Sequence, residues 1–94
     1  MVYKINKKAK MDLARIYWHG VERFGSAESD HHHSMLIKRF SEIAEMPYKY
    51  QAVDYIRKGY RRSVCGANSI YYRLNDGLIE IMRVLGRQDV YENF

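Results

Sequence analysis

The first half of the chain alternates apolar and polar residues with the period of an α-helix. Residues 2–5, VYKI, predict a short strand, and Asn6 follows it as a helix N-cap. Apolar or small residues then recur at spacings of three and four, and Gly25 predicts the end of this helix. The apolar face consists of Ala9, Leu13, Ile16, Tyr17, Gly20 and Phe24.

A second helix is predicted after Gly25, with Ser26 as its N-cap. Its apolar residues also follow a helical period, and it ends before Pro47 because the residue before proline disfavours helix. The short link makes the two helices an antiparallel hairpin. The apolar face of the second helix consists of Leu36, Ile37, Phe40, Ile43 and Ala44.

After Pro47 the apolar period changes to two, which predicts β-strands. Short links with turn-forming residues, Gly66-Ala67-Asn68 and Asn75-Asp76-Gly77, make neighbouring strands antiparallel. The sequence therefore predicts an α+β fold in which an N-terminal strand and an antiparallel helix hairpin pack on an antiparallel β-sheet, followed by a small C-terminal segment. At 94 residues, 1–94 form a single domain. The four predicted strands are 51–57, 60–65, 69–75 and 78–85.

The stretch GYRRSVCGANSIYYRL, residues 59–74, concentrates arginine and tyrosine on two neighbouring strands. Alternation places Tyr72 with Ile70 against the helices, so that Tyr71 and Arg73 face away from them. We likewise expect Arg61 to project away from the helix core. Tyrosine and arginine are enriched where surfaces bind partners, although aromatic cross-strand pairs also stabilise a sheet. Both a binding surface and a structural ladder are consistent with the pattern.

The net charge is +5, and no acidic residue occurs between Arg57 and Arg73. Such a local excess attracts phosphates or acidic protein surfaces. No apolar run approaches the roughly 20 residues that cross a bilayer, and MVYKINKKAK lacks the apolar block of a signal peptide. A single cysteine, Cys65, fits a reducing compartment. We therefore expect a cytoplasmic protein with no membrane association.

The sequence favours neither a metal nor a cofactor. His31, His32 and His33 are consecutive, so on a helix they point about 100° apart, and no two histidines have the i, i+4 spacing of zinc-binding helices. We expect His32 or His33 to border the core of the hairpin. Phosphate-binding and dinucleotide-binding glycine motifs are also absent from the sequence.

The segments IRKGYRRSVCGANSIYYRL and LIEIMRVLGRQD resemble the C-terminal half of ParE toxins, within the RelE/ParE superfamily. KKAKMDLARIYWHGVERFG and LIKRFSEIAEMP are more loosely similar to the two helices of that family. The resemblance implies a type II toxin that a ParD-like acidic antitoxin keeps inactive. It also implies that DNA gyrase is the target and that the toxin is not itself an enzyme.

The family usually ends with a His-x-Arg-Met-Asp-like element, whereas this chain has Gly86-Arg87-Gln88-Asp89. Glycine and glutamine thus replace the usual histidine and methionine. We expect the antitoxin or the target to contact the basic and aromatic residues of the sheet and this C-terminal element. The candidate binding residues are Arg57, Arg61, Arg62, Tyr71, Arg73, Arg87 and Asp89.

Two other functions remain open from the sequence. A RelE-like nuclease that cuts messenger RNA on the ribosome needs a proton-transfer group among its basic residues, and Tyr91 is the candidate acid. A plain nucleic-acid binder would rest on the charge and the tyrosines alone, and we expect no tight, specific nucleic-acid binding by this chain alone. If the chain is a nuclease, the candidate catalytic residues are Arg61, Arg62, Arg83, Arg87 and Tyr91.

Overall fold

The computed structural model describes residues 2–87, which form two helices packed on one face of a five-stranded sheet. This arrangement confirms the predicted α+β class. The elements in chain order are β1 (Val2–Ile5), α1 (Lys7–Phe24), α2 (Ser26–Glu45), β2 (Gln51–Ala52), β3 (Tyr60–Cys65), β4 (Asn68–Asn75) and β5 (Leu78–Gly86).

The ends of the helices follow from local chemistry. The Asn6 side chain accepts a hydrogen bond from the backbone N–H of Lys8 at 2.8 Å, which confirms Asn6 as the N-cap of α1. Gly25 ends α1 with φ +89°, a backbone conformation that a side chain would disfavour. The N-cap predicted for α2 is wrong, because Gly25 occupies that position and Ser26 is the first helical residue. Gly25, the single residue between the helices, is thus both the C-cap of α1 and the N-cap of α2.

The strand order is β1-β5-β4-β3-β2, and all neighbouring strands are antiparallel except β1, which runs parallel to β5. The helix hairpin is the crossover that this parallel pairing requires. Between β4 and β5, Asp76 and Gly77 both have positive φ, at 51° and 76°, as a tight two-residue hairpin turn demands. The sheet is therefore mixed, with its one parallel pair at the β1 edge.

The predicted strand 51–57 is mostly wrong, because only Gln51 and Ala52 pair with β3. The chain then turns: the Val53 carbonyl accepts hydrogen bonds from the N–H groups of Ile56 and Arg57, and the Asp54 side chain accepts one from Gly59. Val53 and Ile56 are apolar because this turn packs under the sheet. The burial of these two residues, which are three positions apart, therefore reflects a loop and not a strand.

Both faces of the sheet carry a core. The larger core lies between the sheet and the helices, and it includes Ile70 and Tyr72 of β4, as predicted from alternation. A smaller core lies on the opposite face, which we call the far face, where the turn after β2 covers the sheet. Its buried residues are Val53, Tyr60, Tyr71 and Leu85, with Ile56 and Met82 packed against them.

The pairing of β5 changes along its length. β1 stops at Ile5, opposite Ile81, so the second half of β5 has no strand beside it on that edge. Helix α1 crosses there, and the Asp12 carboxylate accepts a hydrogen bond from the backbone N–H of Val84 at 3.0 Å. A side chain of α1 thus satisfies a backbone group that the missing strand would otherwise bond.

Neither helix within residues 2–87 is long and apolar enough to cross a membrane. Each presents an apolar face to the sheet, through residues such as Leu13 and Phe40. This is the arrangement expected of a helix that covers one side of a sheet.

Candidate interaction site

The arginines of β3 and β4 are divided between the two faces of the sheet. Arg61 is paired with Tyr72, whose side chain lies in the core under the helices, so Arg61 belongs to the helix side. Arg62 is paired with Tyr71, and Arg73 with Tyr60, and both of these tyrosines lie in the far-face core. The expectation that Arg61 projects away from the helix core is therefore wrong, whereas it is confirmed for Arg73.

Arg61 holds the segment that leads from α2 into β2. Its guanidinium donates to the backbone carbonyl of Tyr50 at 2.7 Å and, more weakly, to that of Tyr48 at 3.4 Å. It also lies 5.1 Å from the centre of the Tyr48 ring, within the range of a cation–π interaction. Arg61 is thus a structural residue of this loop, which leaves its predicted contact with a partner untested.

We predict that Arg61→Ala lowers the free energy of unfolding by about 1–3 kcal/mol, because two carbonyls lose a charged donor and an aromatic ring loses its cation. Lys58→Ala removes a charge from an exposed position of the neighbouring turn and should change stability by less than about 0.5 kcal/mol. Chemical denaturation of the two variants measures both values. Equal, small effects would mean that the Arg61 contacts do not stabilise the fold.

On the far face, the buried Glu80 is surrounded by donors. Arg73 donates to it at 2.9 Å and Asn75 at 3.1 Å, while the Lys4 ammonium lies 3.6 Å away. Burial acts to raise the pKa of Glu80, but the hydrogen bonds from Arg73 and Asn75 outweigh it and hold the pKa below its usual range. Lys4 and Arg73 carry two positive charges against the single carboxylate of Glu80, so this part of the far face keeps a net positive charge.

Arg62 lies beside Tyr71 in the middle of the far face. It donates to the side chains of Gln51 and Tyr55 at 3.2 and 3.3 Å. Contact with the Tyr71 hydroxyl is the largest effect that raises the pKa of Arg62. Tyr71 itself is 0% exposed, so it positions Arg62 and does not present its own ring at the surface.

The remaining candidates lie at the ends of elements. Arg57 is exposed on the turn after β2, and Arg87 is exposed just after β5, with its backbone N–H donating to Ala67. Asp89 and Tyr91, like Gln88, lie outside the described residues. Arg57, Arg62, Arg73 and Arg87 therefore provide the basic positions that the structure places at or near the surface.

Arg83, a candidate for the nuclease hypothesis, is bound inside the fold. Its guanidinium makes a two-pronged contact with the Asp12 carboxylate, at 2.8 and 2.9 Å. Arg15 donates to the same carboxylate at 3.1 Å from the solvent side. Burial tends to raise the pKa of Asp12, but the hydrogen bonds from Arg83, Val84 and Arg15 hold it below its usual range. The pair joins α1 to β5.

A groove of about 620 Å³ opens where the helix hairpin meets the end of the sheet. Its lining includes the apolar residues Ile16 and Phe24 and the basic residues Arg15 and Arg23, with Glu28 as the one acidic residue. We call this the hairpin groove. The groove is formed by α1, α2, the turn between β3 and β4, and the ends of β4 and β5. Its other lining residues are His19, Gly20, Ser29, His32, Ala67, Asn68 and Gly86.

The histidine triplet contributes one residue to this groove. His32 lies 2.8 Å from the Asn68 side-chain oxygen, and the Asn68 amide nitrogen donates to the Leu85 carbonyl. Because that second bond fixes the amide, the His32 nitrogen is the donor of the first. His33 contacts the Tyr17 ring edge-on at 6.0 Å, and His31 is exposed. Among residues 2–87, no three histidine, cysteine or acidic side chains gather where they could hold a metal ion.

Known proteins share this architecture and sequence. The family described as ParE toxin of type II toxin-antitoxin system, parDE, matches residues 3–91. Toxin ParE1 of Caulobacter vibrioides is 32% identical over 83 residues, which span 88% of this chain and 85% of that protein. Toxin ParE1 of Mycobacterium tuberculosis is 30% identical over 93 residues, covering 97% of this chain and 95% of the relative. A solved structure of the chromosomal ParDE system from P. aeruginosa superposes with a TM-score of 0.82 at 20% identity, covering 92% and 95% of the two chains.

The fold of two helices on a five-stranded sheet is that of the solved chain from the ParDE system of P. aeruginosa. The chain belongs to the ParE family, the toxins of type II parDE toxin–antitoxin systems.

Proposed function

We propose that this ParE toxin arrests growth by binding DNA gyrase in the cytoplasm and stabilising its complex with cleaved DNA. In this proposal the toxin acts by contact, catalyses no reaction and uses no cofactor. The positions on which the contact rests are the exposed arginines of the far face and of the C-terminal element, above all Arg87. The family to which the chain belongs supports the choice of target.

The proposal rests on the contacts of two arginines that a nuclease would need for catalysis, because both are bound within the fold. Arg83 is bound to Asp12, and Arg61 is bound to backbone carbonyls. All four histidines lie on the two helices, which pack on the side of the sheet opposite Arg62 and Arg73. RNA cleavage requires a proton-transfer group beside the cations. Within residues 2–87 no histidine lies on the face of Arg62 and Arg73, which supports binding over catalysis.

A ParD-like acidic antitoxin is the second part of the proposal. The hairpin groove combines apolar residues with two arginines against one acidic residue, which suits an acidic amphipathic segment that folds on contact. We expect the neighbouring gene to encode this antitoxin, and co-expression of the two proteins should give a complex that survives purification. Two proteins that remain unassociated would contradict this part of the proposal and leave the choice of target untouched.

The target itself can be tested with purified components. The toxin should inhibit supercoiling by gyrase and accumulate cleaved DNA, while messenger RNA in a translation reaction stays intact. Arg87→Ala should weaken the inhibition by about tenfold or more with little thermal shift, because Arg87 is exposed. Lys58→Ala is the matched control, since it removes one exposed positive charge elsewhere. Codon-specific cleavage of messenger RNA with gyrase unaffected would contradict the proposal and favour the nuclease.

A further inference from the structure

Helix α1 carries a second apolar row on the side that faces solvent. Met11, Ala14, Trp18 and Val21 follow one another at spacings of three, four and three residues. At 100° per residue, this row lies opposite the face that places Ala9 in the core. Met11 and Trp18 are each 64% exposed. We call this row the outer seam of α1.

The spacing of the outer seam is that of the a and d positions of a heptad repeat, the pattern by which one helix packs along another. Lys7 precedes the seam and Gly25 ends the helix after it, so the seam is limited to two heptads, roughly 16 Å in length. Tryptophan and methionine are enriched in protein interfaces, and a tryptophan at the centre of one often dominates its affinity. A single row of apolar residues at this spacing accommodates one helix packed along it.

The charges beside the seam indicate what kind of helix it fits. Lys8, Lys10 and Arg15 occupy flanking positions, against Glu22 alone. Arg15 also contacts Asp12, but that carboxylate is shared with Arg83, and the three groups together keep a positive charge. A second copy of this chain would bring mostly like charges together across the seam, which disfavours self-association. Acidic flanking residues would complement it.

We propose that the outer seam of α1 binds a helix of another protein, one with apolar residues at heptad spacing and with aspartate or glutamate beside them. None of the four apolar residues of the outer seam lines the hairpin groove, and the two surfaces share only the flanking residue Arg15. This proposal does not depend on gyrase as the target. It adds a second partner-binding surface, on α1, to the hairpin groove. A helix docked here would cover the exposed Met11 and Trp18 side chains.

Trp18 is the only tryptophan in the chain, so its fluorescence reports directly on this surface. The probe is a synthetic 21-residue helical peptide with leucine at the a and d positions and glutamate at the flanking positions. The same peptide with lysine at the flanking positions is the control. We expect the acidic peptide to shift Trp18 emission to shorter wavelength in a saturable way, and the basic peptide to bind at least tenfold more weakly.

Variants locate the contact. Met11→Lys should weaken binding of the acidic peptide at least tenfold without changing the melting temperature. Met35→Lys is the matched control, because Met35 is an exposed methionine on α2, and it should leave binding unchanged. Arg23→Glu, in the hairpin groove, should also leave peptide binding unchanged, which separates failure of this proposal from failure of the antitoxin site.

Four results would overturn the proposal: Trp18 emission that the acidic peptide does not move, equal binding of both peptides, equal losses in the two methionine variants, or loss of peptide binding in Arg23→Glu. A concentration-dependent dimer that Met11→Lys abolishes would assign the seam to a second copy instead. If phosphatidylglycerol vesicles shift Trp18 emission and neither peptide does, the outer seam binds a lipid surface instead.

Discussion

Replacing Asp12 with asparagine should lower the free energy of unfolding by about 3–5 kcal/mol at neutral pH, the cost of breaking a buried ion pair by removing one partner. Asp12 is 4% exposed and binds both the Arg83 guanidinium and the Val84 backbone N–H. The asparagine keeps the size of the side chain but removes the negative charge that the Arg83 guanidinium contacts. Urea denaturation of the two proteins at pH 7 measures the loss.

The effect of Asp12 should depend on pH in a defined direction. The pKa of Asp12 is lower in the folded chain than the usual value of about 3.9, so the folded state favours the ionised carboxylate. Its stabilisation is fully present above about pH 4 and is lost as the pH falls from there through the folded-state pKa. The difference between wild type and Asp12→Asn should therefore narrow below about pH 4.

Arg15→Ala is the matched control for the Asp12 prediction. It removes the contact that the same carboxylate makes with an exposed arginine, and exposed pairs contribute only about 0–1 kcal/mol. A double-mutant cycle of Asp12→Asn with Arg83→Met should reveal coupling, because the two residues touch. If Arg15→Ala costs as much as Asp12→Asn, or if the cycle shows no coupling, the buried pair does not hold α1 on β5.

Local chemistry was enough to predict most of the fold. The helical period, Asn6 and Gly25 define α1, and Asp76-Gly77 defines the last hairpin. The prediction of β2 failed at Val53 and Ile56, since both apolar residues belong to a loop that packs under the sheet and not to a strand. Periodicity reports which side chains are buried, but it does not report the hydrogen bonds of their backbone.

The site was less accessible to sequence reasoning, because it depends on long-range register. Alternation separates Arg61 from Arg62, yet only the pairing of Arg61 with Tyr72 assigns Arg61 to the helix side. Asp12 offered a clue, as a carboxylate between Ala9 and Leu13 on an otherwise apolar face. Nothing in its sequence neighbourhood identifies Arg83, which lies 71 residues away.

Charge reversal at the hairpin groove should have the largest effect on partner binding. Arg23 lies in the last turn of α1, with its guanidinium 5.6 Å from the centre of the Phe24 ring, and it lines the groove. An acidic antitoxin segment seated there would face glutamate in place of arginine in the variant Arg23→Glu. Like charges brought together in an interface cost several kcal/mol, and about 1.4 kcal/mol changes affinity tenfold. We therefore expect the dissociation constant for the antitoxin to rise by about 100-fold or more.

Titration calorimetry with the purified antitoxin measures that affinity, at low and at high salt. Lys38→Glu makes the same change of charge at an exposed position of α2 that does not line the groove, and it should weaken binding much less. Because salt screens exposed charges, the wild-type affinity should fall with salt more steeply than that of Arg23→Glu. A partner seated in the hairpin groove must distinguish Arg23 from Lys38. If the two variants lose the same affinity, the antitoxin responds only to the net charge of the toxin and does not bind in the groove.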